Sequence, residues 1–400
     1  MLLLRNQVQP YAWGAIDGLA RIVGSAPTGG PEAELWVGTH PGAPSLVVGD
    51  PEARTLAQVI AADPARWLGP ELAAEGHTAL PFLLKVLAIG RPLSLQAHPS
   101  QAQAEAGFER EDAAGLALDA PDRSYRDVWP KPEALVALGT TWALCGFRPP
   151  LEAANLLAGL GVEAFDPLVS ALATGDEAHL RTVLGWLLRL DGRSRDAIAA
   201  AVAASVERLR GDDLADPRVW VRRLVDAFPG DPTAVAPLLL NVVRLDADEA
   251  VHLPAGNLHA YLDGAGVEIM AASDNVLRGG LTPKHIDVDE LLAVLQFEPG
   301  MPPSPVIEDL GGGVTTYDAG EEAFALAALT PGDATLEIAP VAPSLLLATG
   351  GSVEIDGPGA TGALVVAGGD AVFVPPGSGS YRVAGTGRVW WGTTGDGLPA

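Results

Sequence analysis

Gln96 and His98 lie two residues apart in the β-prone run PLSLQAHPS. Side chains two apart on a strand share a face, so an amide and an imidazole point the same way there. Glu133 and His259 add a carboxylate and a second imidazole, completing a nitrogen and oxygen donor set without thiolate. Such a set suits zinc or another divalent first-row ion and leaves a position open for water or substrate. The bland alternative for each strand histidine is a hydrogen bond in the core. A ferrous oxygenase would use two histidines and one carboxylate with more positions open. The extra Gln96 and the lack of a His-x-His pair weigh against it.

Only three of the 25 Lys and Arg residues are lysine: Lys85, Lys131 and Lys284. Chance retention under a compositional bias is the bland reading; the other is that lysine is kept where a compact ammonium or a tunable pKa is wanted, and the three flag their segments for attention. Lys131 stands two residues from Glu133, where a bound dication would lower its pKa towards that of a base. A plain hydrogen bond to a substrate oxygen is the alternative role.

Residues 1–149, which must position most of these groups, read as short β segments between Gly/Pro turns. Helix interrupts them around Thr55–Leu68 and Gln101–Phe108. Residues 151–228 carry apolar positions at helical spacing, as in HLRTVLGWLLRL. β character returns at Ala250–Leu262, and the Pro-rich GMPPSPV at 300–306 reads as a linker into a last all-β unit. The expected architecture is mainly β with a helical insert: a discontinuous barrel at 1–149 and 238–300, the insert at 150–237, and a β domain at 301–400.

The chain has 400 residues, 48% of them hydrophobic, and no apolar run long enough to span a bilayer, so no membrane partner is expected. MLLLRNQVQP lacks the basic start and cleavage site of a signal peptide. The single cysteine, Cys145, excludes an internal disulfide and fits a reducing compartment, with the cytoplasm as the expected setting. A formal net charge of −25 argues against nucleic acid. A small phosphorylated ligand stays compatible with that charge if positive groups cluster locally. A monomer is the expectation for the oligomeric state.

ADEAVHLPAGNLHAYLD and GDAVFVPPGSGSYRV both run strand, Pro-x-Gly, two residues, strand. They resemble the second sequence motif of the cupin superfamily, Gly-x5-Pro-x-Gly-x2-His. The first has Asp248, Pro254, Gly256 and His259, departing at the leading Gly; the second has Gly369, Pro375, Gly377 and Ser380, which removes its ligand. Two cupin-like, jelly-roll-type barrels follow, only the first able to hold a metal through this motif.

Longer blocks carry a more specific resemblance. LPFLLKVLAIGRPLSLQAHPS, DRSYRDVWPKPEALVAL and GNLHAYLDGAGVEIMAASDNVLRGGLTPKHID, with the early PYAWG and AELWVGTHP, resemble the signature blocks of type I phosphomannose isomerases. The resemblance implies a zinc-dependent aldose–ketose isomerase that interconverts mannose 6-phosphate and fructose 6-phosphate. It implies one Zn2+ on Gln96, His98, Glu133 and His259, and places the family's active-site arginine on Arg278. The chain departs from the family at Trp129 and Pro130, where members carry Asn-His, and at Arg126, where lysine is usual.

Under that reading a proton moves between carbon 1 and carbon 2 while enediolate-like charge develops on their oxygens. A zinc Lewis acid and the fixed fork of Arg278 would stabilise that charge. Lys131, Glu268, Asp274 and His98 are the candidate proton carriers, His98 being the least available as a ligand, and the choice among them stays open. The resemblance supports Ser94, Lys85 and Lys284 as phosphate contacts. Ser94 shares strand parity with Gln96 and His98. Lys85 sits in an apolar run, where it needs a ligand or a buried carboxylate partner. Lys284 lies in a loop, where a solvated surface lysine is its alternative, and His40 in GTHP is placed to approach the site, though a turn histidine bonded to the backbone is the preferred reading. A non-catalytic sugar-phosphate-binding bicupin and an isomerase of unphosphorylated aldoses remain alternatives.

Overall fold

The computed structural model describes residues 1–358 and 362–398. One long strand, His259–Ala271, organises the catalytic half. Its first residues pair with Thr141–Phe147, and its later residues lie between Phe82–Ile89 and Glu133–Ala137. The change of partner falls at Gly264, whose φ is +119° and where a Cβ would sit 2.7 Å from Thr141 Cα, so the close approach needs glycine. Leu240–Leu245 extends the sheet on one side, Glu34–Val37 and Gln7–Gln9 on the other, and Ala250–Leu253 pairs with Glu133–Ala137. The short strands Leu95–Ala97 and Leu277–Gly280 pair with each other and close the curl against His259.

Alternation along these strands decides what enters the barrel. Leu84, Val86 and Ala88 pack outward, whereas Leu87 and Ile89 join Leu135, Ala137, Cys145, Val251 and Tyr261 in the interior. Lys85 has the parity of Leu87, and Glu133 that of Leu135, so both charged groups point inward. Leu95, Ala97 and Leu277 face the opposite way, into a core shared with Leu180, Leu184 and Trp220 of the insert. Gln96 and Arg278 are thereby left on the barrel face. The insert is helical as expected, with helices at Pro150–Ala158, Asp166–Leu172, Ala178–Leu188, Gly192–Val206 and Pro217–Ala227.

Several local expectations shift. The helix expected at Thr55–Leu68 is two helices, Leu56–Ala62 and Pro64–Leu68, because Pro64 cannot continue the first and Asp63 caps the second. The one expected at Gln101–Phe108 continues to Ala113 from a capping box of Ser100 and Gln103. The stretch expected as a linker at 300–306 has no helix or strand before Val306 and is bonded to the barrel: Pro303 O accepts from His252 N at 2.9 Å, and Ser304 Oγ donates to Ala250 O at 3.2 Å.

In the C-terminal part an eight-stranded sheet runs Val306–Gly311, Val314–Asp318, Ala325–Leu329, Arg388–Thr393, Ser344–Thr349, Ala371–Val374, Leu2–Arg5 and Leu46–Val47. Leu2–Arg5 and Leu46–Val47, expected within the first barrel, therefore belong to this later sheet, since a short apolar strand does not name its partner. Leu345 and Leu347 face the catalytic half, packing with Leu84, Val267 and Trp390; Leu346 and Ala348 face a sandwich core with Val353, Tyr381 and Trp391. Burial on both faces explains the unbroken apolar run SLLLAT. We propose the division at 149, 237 and 300 as the domain organisation, with these two early strands crossing it.

Candidate active site

The turn at 254–256 fastens two candidate ligands together. Gly256 N donates to His98 O at 2.8 Å, so the turn that leads into His259 is bonded directly to the main chain of His98. Gly256 has φ +79°, and a Cβ there would meet Val294 O at 3.0 Å. In the later copy of the motif Ser380 is exposed. Among the described residues the group of His, Cys, Asp and Glu side chains spaced to share an ion is His98, Glu133 and His259, with one ligand atom from each within 4.8 Å of the others.

Strand register sets the rest of the row. His259 lies opposite Gln96, and Gln96 opposite Arg278 on the next strand. His98 Nε2 is 3.3 Å from Glu133 Oε1, and His259 Nε2 is 3.4 Å from Glu133 Oε2. The Gln96 amide approaches His259 Nε2 at 3.3 Å, and a half-turn about its last torsion would present Oε1 there instead. Both rings are oriented from behind: His98 Nδ1 donates to Asn275 O at 2.7 Å and His259 Nδ1 to Asn257 O at 3.1 Å. With the proton on Nδ1, each Nε2 keeps its lone pair for a metal. His98 Nε2 and Glu133 Oε2 are buried with no hydrogen-bond partner. Leaving such groups unsatisfied costs about 1–3 kcal/mol each, so the donor set fits a bound cation.

Burial pushes His98 down to about 4, which keeps the ring neutral near pH 7. Burial alone would raise Glu133, but its carboxyl is held well below the usual range by His98, Lys131 and His259. Lys131 Nζ lies 3.2 Å from Glu133 Oε1. Lys85 is as buried as Lys131, 3.3 Å from Glu268 and 3.6 Å from Glu34, with its ammonium 5.1 Å from the Trp36 ring centre. Burial opposes its charge, but Glu34, Glu268 and Glu133 outweigh that and raise its pKa. Burial likewise raises Glu268, against the pull of Lys85.

A second, positive group stands beside the first. Arg278 Nη1 donates to Ser94 Oγ at 3.1 Å. Burial and then the charge of Arg126 lower the Arg278 pKa, and Arg278, burial and Arg126 lower that of Lys284. Among the described residues no carboxylate lies within salt-bridge distance of any of the three. The structure thus brings Ser94, Arg278 and Lys284 together with Arg126, and separates Lys85 from them by binding it between two carboxylates. Asp274 is half exposed, 3.1 Å from His40. Trp129 is exposed and stacks on His77 at 5.9 Å between centroids.

Residues 1–150 match the family model described as phosphomannose isomerase type I, catalytic domain. The chain is 39% identical over 302 residues to the mannose-6-phosphate isomerase of Escherichia coli, covering 74% of this chain and 75% of that protein. The chain belongs to the type I phosphomannose isomerase family. The mannose-6-phosphate isomerase of Bos taurus is 32% identical over 399 residues, 92% of this chain and 91% of its own length. A zinc-bound crystal structure of mannose 6-phosphate isomerase superposes with a TM-score of 0.89 at 32% identity, covering 98% of this chain and 99% of that one. Type I membership agrees with the cupin-like barrel and helical insert described above.

Three participants escaped the sequence reading. Asn275 is fully buried and joins the site by main chain and side chain at once: its O orients His98, its Oδ1 accepts from Arg126 N and Asp127 N, and its Nδ2 donates to Asp127 O and Trp129 O. Its signal was the polar SDN in an otherwise apolar strand region. Glu34 partners Lys85 from a strand that offered only a buried-looking ELWV. Arg126 registered only as a departure from lysine.

Proposed function

We propose that this chain interconverts mannose 6-phosphate and fructose 6-phosphate, moving a proton between carbon 1 and carbon 2. The observation that carries the reading is the convergence of His98 Nε2, His259 Nε2 and the unsatisfied Glu133 carboxylate beside Lys131, with Arg278 one strand away on the same face. Gln96, His98, Glu133 and His259 would hold one zinc ion, which when bound supplies a Lewis acid for the substrate oxygens. Lys131 is a buried ammonium at that edge, able to hold a proton at a substrate oxygen. Glu268 and Lys85 form a buried proton-holding pair, and Asp274 accepts from a sugar hydroxyl at the rim.

The phosphate end is Ser94, Arg278, Lys284 and Arg126. A hydroxyl and three cations without carboxylate partners suit a dianion even on a chain of net charge −25. Lys85 leaves the phosphate set, because Glu34 and Glu268 on either side would repel the same dianion. This positive end favours phosphorylated over unphosphorylated aldoses. The cytoplasm, with which the free thiol of Cys145 is compatible, and a monomer remain part of the reading.

The test is isomerisation of mannose 6-phosphate on chelator-treated protein, with and without added zinc. Loss with chelator and return with zinc is the expected result. Binding of the sugar phosphate without turnover under any divalent ion would favour a binding protein, and turnover of mannose in preference to its phosphate would overturn the assignment of the positive end.

A further inference from the structure

We propose that His40 is a positioning residue of the active site, which holds the Asp274 carboxylate in one orientation so that it can accept a hydroxyl hydrogen of the sugar. The inference rests on the isomerase reading above and adds a residue to it. His40 and Asp274 lie 234 positions apart and meet at 3.1 Å, His40 Nε2 to Asp274 Oδ1. His40 is largely buried at 10% side-chain exposure, while Asp274 is at 46%, so the ring acts from behind and the carboxylate faces out.

The tautomer follows from the turn. Gly42 N–H donates to His40 Nδ1 at 3.1 Å, so that nitrogen carries no hydrogen, and the neutral ring has its proton on Nε2, directed at Asp274. The edge of the ring meets Trp36 at 4.7 Å between centroids and 87°. A Cβ on Gly42 would lie 3.2 Å from Nδ1, so the turn closes tightly around the ring. Among the described residues His40 is the sole hydrogen-bond partner of the Asp274 side chain; the Asp274 main chain is separately fixed, its N donating to Asp127 Oδ2 at 2.8 Å. The charges of Lys131 and Arg126 both act on the Asp274 carboxylate, after the larger effect of His40, and its main chain is bonded to the loop that runs from Arg126 to Lys131. A hydrogen-bond acceptor there can meet a hydroxyl of a sugar whose ends are held by the metal and the cations.

The experiment uses zinc-loaded protein with kcat and KM measured for His40→Leu, His40→Gln, Asp274→Asn and the His40→Leu/Asp274→Asn pair, together with zinc content and thermal stability. Histidine-selective 15N labelling reads the tautomer independently of activity, and seven histidines keep the spectrum resolvable. The expected results are an Nε2–H ring for His40, a loss of about tenfold to a hundredfold in kcat/KM for His40→Leu at unchanged zinc content, substantial recovery in His40→Gln, whose amide can donate from the same side, and little further loss when His40→Leu is added to Asp274→Asn. An Nδ1–H ring, equal losses in the Leu and Gln variants, or additive losses in the pair would overturn it. A wild-type protein that is inactive with zinc would instead sink the isomerase reading and the proposed role with it, whatever the tautomer.

Discussion

Removing the Asn275 side chain should loosen one loop while sparing the metal ligand beside it. The side chain makes four hydrogen bonds to main-chain groups, at 2.7 Å from Arg126 N, 3.2 Å from Asp127 N, 2.9 Å to Asp127 O and 2.8 Å to Trp129 O. At about 0.5–1.5 kcal/mol net for each, the upper range for Asn275→Ala is about 2–6 kcal/mol. Arg126 and Trp129 are exposed, so water recovers part of the loss, and about 2–3 kcal/mol is expected. His98 is oriented by the main-chain O of residue 275, so zinc affinity should change far less than stability. Asn275→Asp is the sharper variant: it keeps the acceptor for Arg126 and Asp127 N–H but turns a second oxygen towards Asp127 O and Trp129 O. It should therefore be no better tolerated than Asn275→Ala despite its near-identical shape. Denaturant unfolding gives the stability, hydrogen exchange at Arg126 and Asp127 gives the local effect, and calorimetry gives the zinc affinity. Unchanged exchange at those two amides, or an Asp variant as stable as wild type, would refute the reasoning.

Other outcomes follow from the same geometry. Unfolding metal-free protein below pH 6.5 should take up a proton at His98, because its folded pKa is about 4 and its unfolded value 6.5. Stability from this group is fully present above about pH 6.5 and falls by roughly 3 kcal/mol as pH drops towards 4, a slope that His98→Asn should remove in pH-dependent denaturation. Lys85→Met should destabilise by about 3–5 kcal/mol by leaving Glu34 and Glu268 buried without their cation, and adding Glu268→Gln should restore part of it. Leu347→Ala should cost about 2–5 kcal/mol and disturb the catalytic half, whereas Leu346→Ala should cost as much but disturb mainly the sandwich, a difference visible in residue-resolved exchange.

The parts of the site readable in advance were those encoded at short range. Parity alone puts Ser94, Gln96 and His98 on one face, and the Pro-x-Gly turn announces His259. The helix break at Asp63–Pro64 was equally local and should have been read. What escaped depends on which distant strands become neighbours: Glu34 against Lys85, His40 against Asp274, Asn275 against the 126–129 loop. Each partner is chosen by sheet register, and no single run of sequence carries that register. His40 shows the difficulty well, since its expected backbone bond to the turn is present and coexists with its longer-range partner.

The pairing of Leu2–Arg5 with Ala371–Val374 also sets an order of events on the ribosome. This leucine-rich strand can pair early with Leu46–Val47 along one edge, but the partner of its other edge, Ala371–Val374, is made far later. At about 5–20 residues per second that wait is roughly 20–70 s, during which an unpaired apolar edge is open to mispairing. The catalytic barrel could curl up meanwhile, since its strands lie between residues 7 and 280. Its outer face, Leu84, Val86 and Ile269 among others, would remain bare until the late sheet arrived to cover it. Nascent chains halted before residue 371 should therefore be the species that chaperones hold longest.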